Sequence, residues 1–198
     1  MIAVAGAAPT VASPKVASPT VASPRVTSSQ AASSQVAAPP AGVTQLLAAG
    51  IGEMVFSKDP KTTLVAYGLG SCVALVAWDP HSGVGAMAHF MLPAGPPGGP
   101  PVKFIEGGLK TFLDRFAKHG GRAARAQFKA AGGAAMLAIA PGGLEIGRRN
   151  AEAITTGLAA AGLTLLARDL GGTSGRTVQL EVGTGRLLVK SVSKVTFL

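Results

Sequence analysis

Residues 67–93 read YGLGSCVALVAWDPHSGVGAMAHFMLP. Two apolar runs, Cys72 to Trp78 and Val84 to Leu92, flank Asp79-Pro80-His81-Ser82-Gly83, a cluster of turn-forming residues, so the stretch predicts a β-hairpin. Both runs are apolar on both faces, the pattern of a central strand pair covered on each side rather than one open to water. The fold must therefore supply a layer above this hairpin and another below it.

Working outward, Ile51 to Phe56 and the β-branched run Thr62 to Tyr67 read as strands separated by the turn Lys58-Asp59-Pro60. Beyond the hairpin, VKFIEGGLKTFLDRFAKHG (102–120) spaces Ile105, Leu109, Phe112, Leu113 and Phe116 for one face of a helix, with Gly120 and Gly121 as its stop. A second helix is expected from Asn150, a favourable N-cap, through Ile154 and Leu158 to Gly162. Strands are expected at 126–130, 163–169, 177–182 and 187–192, the last pair joined by Gly183-Thr184-Gly185. Strands outnumber helices and several are sequential hairpins. The class that follows is α+β, with mainly antiparallel β layers packed against two helices.

All nine acidic residues and every aromatic lie beyond residue 42. Residues 9–40 instead repeat VASPK, VASPT, VASPR and related pentads. Such a segment has too little apolar surface to offset an ordering cost of roughly 1–2 kcal/mol per residue, so residues 1–42 are expected to form a disordered tail and 43–198 a single domain. Met1 to Ala8 has no basic segment, and Pro9, Pro14, Pro19 and Pro24 interrupt any apolar helix, which argues against an export signal. There is one cysteine, so no internal disulfide is available, and no apolar run is long enough to span a bilayer. A cytoplasmic protein without membrane insertion is the expectation.

The formal net charge is +9. Lys103, Lys110, Arg115, Lys118, Arg122, Arg125 and Lys129 cluster around the first helix, a distribution that attracts acidic partners. With few aromatics to stack on bases and no recognition module, nucleic acid is not the expected partner. One cysteine and the scattered His81, His89 and His119 do not give a metal-ligand spacing, so neither a metal nor another cofactor is called for.

The chemistry-bearing candidates are Cys72 and His89. Gly68, Gly70 and Ser71 permit a tight turn before Cys72, from which backbone N–H groups can converge on one point, lowering a thiol pKa or holding an oxyanion. The glycines are not a dinucleotide fingerprint, because its third glycine would fall at Val73. Hairpin pairing either sets Cys72 directly across from His89, with Cβ atoms roughly 4.5–5.5 Å apart, or slips by one residue, pairs Cys72 with Phe90 and turns His89 to the other face. A lone cysteine also serves as a small buried hydrophobe, and a histidine in GAMAHFMLP as a core residue satisfied by a carbonyl.

GLGSCVALVAWDPHSGVGAMAHFMLP resembles the signature of the CheD family, the chemoreceptor glutamine deamidases of bacterial chemotaxis. The similarity continues through GGAAM, IGRRNAEAI, LLARDLGGTSGRTV and GTGRLLVKSV, in order, over residues 50–192. The resemblance implies a CheD-like layered sandwich that hydrolyses glutamine side-chain amides on methyl-accepting receptors through a cysteine thioester, an intermediate that receptor methyl esters could also form. It assigns the nucleophile to Cys72 and the base to His89, with Ser71 and Gly70 shaping the oxyanion turn. Its partners would be the receptors' cytoplasmic helices and, in some bacteria, a CheC-type phosphatase. The family commonly has a threonine six residues before the cysteine, completing a triad; this chain has Ala66. An orienting partner for His89 must then come from elsewhere, and the alternative is a weakly active or non-catalytic binding protein acting on receptors or on the phosphatase.

Overall fold

The computed structural model describes residues 45–96, 98–136 and 143–198; the expected 1–42 tail lies outside them. In chain order the elements are β1 (Gln45–Ala48), β2 (Met54–Ser57), β3 (Thr62–Leu69), β4 (Val73–Asp79), β5 (Val84–Phe90), α1 (Ile105–Lys118), β6 (Gln127–Gly132), α2 (Gly143–Ala160), β7 (Leu165–Leu170), β8 (Arg176–Glu181), β9 (Leu187–Ser191) and β10 (Val195–Phe197). They build two five-stranded sheets, ordered β1-β3-β8-β9-β10 and β2-β5-β4-β6-β7. The α+β class and the two helices are as expected. Each sheet is nevertheless mixed: β1 runs parallel to β3, and β6 parallel to β7. Parallel neighbours need a long crossover, and α2 supplies it between β6 and β7. The edge strands β1 and β10 have no counterpart in the sequence reading.

The hairpin β4–β5 sits in the middle of the second sheet, and the apolarity of both its faces is accounted for. Val73, Leu75, Ala77, Ala86, Ala88 and Phe90 pack with Ile105, Leu109, Phe112, Phe116, Ile154 and Leu158 of the helices. Ala74, Val76 and Met87 pack with Leu64, Ala66, Val178, Leu180 and Val189 of the first sheet. Two hydrophobic layers therefore lie one on each side of the hairpin.

Its register differs from both pairings considered above. Ala74 faces His89 and Val73 faces Phe90, because Asp79 remains in the ladder opposite Val84 and the loop is Pro80 to Gly83. The cause is the Asp79 side chain. Its Oδ1 accepts the N–H groups of His81 and Ser82 at 3.0 and 3.4 Å while its carbonyl accepts the Gly83 N–H at 2.9 Å, so the residue can cap the turn without leaving the strand.

In α1, Ile105, Leu109, Phe112 and Phe116 form the buried face, each contributing roughly 1.5–3 kcal/mol through its removal from water. The helix stops at the glycines: the Gly121 N–H bonds the Phe116 carbonyl at 3.0 Å and Gly120 takes a φ of 92°. The second helix corrects the sequence reading. It spans 143–160, and Asn150 is not its cap but a fully buried residue two turns inside it.

Candidate active site

The carboxyl end of β3 turns through Gly70 and Ser71 into Cys72 and then β4, and β5 brings His89 to the neighbouring strand. Since Ala74 is directly opposite His89, Cys72 lies two residues along on the same face, diagonal to the imidazole. That face is the one between the sheets, where Cys72 is half-buried against the core containing Ala49, Ala66, Ala74 and Met87. The register shift thus keeps the two residues on one side while replacing a direct pairing with a diagonal one.

His89 is 2 % exposed, and its Nδ1 lies 3.1 Å from the carbonyl oxygen of Ala49. A carbonyl can only accept, so Nδ1 carries the proton and donates it, which leaves Nε2 with a free lone pair. That Nε2 is buried and has no partner among the described residues. Burial pushes the imidazole below its ordinary 6.5, against the opposing effects of the Ala49 carbonyl and of Glu53, so the ring is neutral near pH 7. The orienting group left open by Ala66 is therefore a backbone carbonyl. Ala49 is fixed by its own N–H, which donates to the Val65 carbonyl at 2.7 Å, and β5 is held beside it by bonds from Gly52 N–H to the His89 carbonyl and from His89 N–H to the Glu53 carbonyl.

Burial raises the Cys72 thiol above its ordinary 9.0, and its own backbone N–H, directed at the sulfur, acts in the opposite sense. At rest the pair is thus a thiol and a neutral imidazole that make no hydrogen bond to each other. Proton transfer in such sites often tightens only when substrate is bound or proceeds through one water.

The turn around the thiol is held from three sides. The Gly70 carbonyl accepts from Ala134 N–H at 2.9 Å and the Cys72 carbonyl from Gly133 N–H at 2.8 Å. The Ser71 carbonyl accepts from Asn150 Nδ2 at 2.8 Å. Gly132 permits this approach, since a Cβ there would stand 2.2 Å from the Cys72 carbonyl oxygen. Gly147 does the same for the helix, because its missing Cβ would meet the Ala134 carbonyl at 2.3 Å. Arg176, reaching from the other sheet, donates to the carbonyls of Gly132 and Gly171 and pairs with Asp169. Gly70 and Ser71 therefore sit in a constrained turn.

The basic cluster is not one uncommitted surface. Lys129 is buried between the sheets and donates to the carbonyls of Gly185 and Leu198. Arg125 pairs with the buried Asp79 carboxylate at 2.9 Å, and Arg115 lies over the Phe56 ring. Lys110 pairs with Asp114 on the exposed side of α1. Among the described residues no cluster of potential metal ligands occurs, and no helix is long and apolar enough to cross a membrane.

The family model described as CheD chemotactic sensory transduction matches residues 91–191. A Symbiobacterium thermophilum protein named probable chemoreceptor glutamine deamidase CheD is 42% identical over 156 residues, 76% of this chain and 94% of that protein. The chain belongs to the CheD family. The chemoreceptor glutamine deamidase CheD of Thermotoga maritima is 43% identical over 144 residues, covering 72% of this chain and 90% of its own length. A solved structure of the Bacillus licheniformis hypothetical protein YfiH superposes with a TM-score of 0.31 at 18% identity, over 39% of this chain and 26% of that one, and carries no argument. The CheD family model begins two residues after His89, so the pairing of Cys72 with His89 rests on the geometry above.

Proposed function

We propose that this CheD-family chain is a cysteine-dependent protein-glutamine deamidase acting on the cytoplasmic helices of chemoreceptors, and that it works in the cytoplasm. One observation carries the reading: an imidazole fixed in the Nδ1–H tautomer, with its buried Nε2 unpartnered, on the same face as the chain's one thiol. The relatives named as chemoreceptor glutamine deamidases supply the substrate class.

In the reaction, Nε2 of His89 takes the Cys72 thiol proton as the sulfur attacks the carboxamide carbon of a receptor glutamine. The oxyanion is held by the Cys72 N–H and a neighbouring backbone donor in the Gly70–Ser71 turn. Imidazolium then returns its proton to the departing ammonia, leaving a thioester. Water, deprotonated by the same Nε2, attacks the thioester and the proton passes to the sulfur as glutamate is released. A glutamyl methyl ester would form the same thioester with methanol leaving, which makes receptor methylesterase activity a natural side reaction. Neither a metal nor another cofactor enters these steps.

Exposed Tyr67, Met91 and Met136, between 39% and 42% accessible, border this end of the molecule and offer apolar contact to a receptor helix. Met136 lies against Gly70 of the turn. A CheC-type phosphatase is the second partner this reading includes. Receptor cytoplasmic fragments incubated with the protein should gain the mass of amide-to-acid conversion at particular glutamines, by peptide mass spectrometry. Equal conversion by wild type, Cys72→Ala and His89→Ala would refute the assignment.

A further inference from the structure

We infer that Asn150 is a positioning residue that sets the oxyanion donor by gripping the peptide bond in front of the nucleophile; the inference rests on the thiol-hydrolase reading of Cys72. Asn150 is fully buried inside α2, and its Nδ2 lies 2.8 Å from the Ser71 carbonyl and 2.9 Å from the Met91 carbonyl. Two carbonyl acceptors require the nitrogen, not the oxygen, to face them, so the orientation of the amide is settled and both its protons are used. One side chain therefore joins the residue before Cys72 to the residue two beyond His89.

The consequence for the thiol follows from peptide geometry. The Ser71 carbonyl and the Cys72 N–H belong to one planar trans unit and point in opposite directions. Pulling the carbonyl toward α2 turns the N–H away from the helix, toward the sulfur. The two flanking carbonyls, of Gly70 and Cys72, are held by backbone N–H groups of Ala134 and Gly133. Of the three successive peptides around the nucleophile, the one carrying the Cys72 N–H is thus the one whose carbonyl is held by a side chain. Gly147, one turn earlier on α2, makes this reach attainable by letting the helix backbone close on Gly133 and Ala134.

The test uses the full chain with Asn150→Ala, which removes the donor, and Asn150→Asp, which keeps the shape and replaces the donor by an acceptor. Both should lower deamidation kcat by about 10²–10³-fold, the loss expected for one oxyanion donor, with KM within threefold of wild type. Both should also move the pH midpoint of Cys72 alkylation by iodoacetamide upward, because the N–H no longer faces the sulfur. A purely structural Asn150 would lower Tm yet leave kcat of the folded fraction and the alkylation midpoint unchanged, and that result overturns the inference. The alkylation arm needs no receptor. If Cys72→Ala deamidates as well as wild type, the hydrolase reading fails, and unshifted alkylation in the Asn150 variants separately refutes the grip. Should neither variant fold, wild-type NMR decides: two distinct, slowly exchanging Asn150 side-chain amide protons are expected, and exchange at solvent-exposed rates overturns the inference.

Discussion

The two ends of the β4–β5 hairpin handle their buried ionisable groups in opposite ways. At the loop end the Asp79 carboxylate is fully buried, and its two oxygens are taken up by the N–H groups of His81, Ser82 and Arg122 and by the Arg125 side chain. At the open end, His89 Nε2 and Asn150 Oδ1 are equally buried and have no partner among the described residues. An unmade buried hydrogen bond costs about 1–3 kcal/mol; the loop residue Ser82 leaves its Oγ without a partner too, so the contrast lies between the carboxylate and the imidazole. Paired charge at one end holds the hairpin; the unpaired imidazole nitrogen at the other is the base of the proposed reaction.

If that contrast is right, substitutions at the two ends should separate activity from stability. Cys72→Ala should abolish deamidation, by at least about a thousandfold in kcat, while the half-buried site tolerates the small side chain. His89→Gln should follow, with a loss of about 10²–10⁴-fold for removal of a general base, and the folded state should persist by circular dichroism. Asp79→Ala inverts the pattern. Loss of a buried, multiply bonded carboxylate should cost roughly 2–4 kcal/mol in chemical denaturation while kcat of the folded fraction stays within about threefold. A stable Asp79→Ala protein, or one with kcat lost, would break the comparison.

Acid should also distinguish the ends. Burial would raise the Asp79 carboxyl, but the bonds from Arg125, Arg122, Ser82 and His81 outweigh it and hold the group well below its ordinary 3.8. His89 lies below its ordinary 6.5 because of burial. In both cases the unfolded chain binds the proton at higher pH than the folded one, so stability rises with pH through each window and is lost as pH falls. The His89 contribution is complete above 6.5 and declines below it; the Asp79 contribution declines only below 3.8. His89→Gln should flatten the upper part of a stability-versus-pH curve and leave the lower. Deamidation kcat/KM should lose its acid limb at a midpoint under 6.5, since the base must be unprotonated.

The elements legible in the sequence are those whose side chains carry their own pattern. The covered hairpin, α1 with its phenylalanine face, and the β8–β9 hairpin follow from apolar spacing and glycine stops. The hairpin register did not, because Asp79 reads as a turn residue until its carboxylate is seen to cap the loop from within the strand. Ala49 was out of reach altogether: what orients His89 is a main-chain carbonyl, which any residue would provide and no motif marks. Asn150 was visible but misread. It stands in phase with Ile154 and Leu158 on the buried stripe of α2, and a polar residue in that phase signals a buried bond rather than a cap. Its partners, Ser71 and Met91, are far away in the chain, so only the fold could name them.

Restoring the family threonine tests the finest point of the contrast. Ala66 is fully buried in the layer between the sheets, beside Leu64, Ala74 and Met87. Ala66→Thr adds two heavy atoms to a filled space, and overpacking of this kind costs typically about 1–3 kcal/mol. If the Ala49 carbonyl already fixes the Nδ1–H tautomer, a hydroxyl brings the imidazole no new constraint, and kcat should change by less than about threefold even as Tm falls. Should Ala66→Thr instead raise kcat tenfold or more, the open end of the hairpin is less organised than its geometry indicates, and the ring of His89 is waiting for a second acceptor that the main chain does not provide.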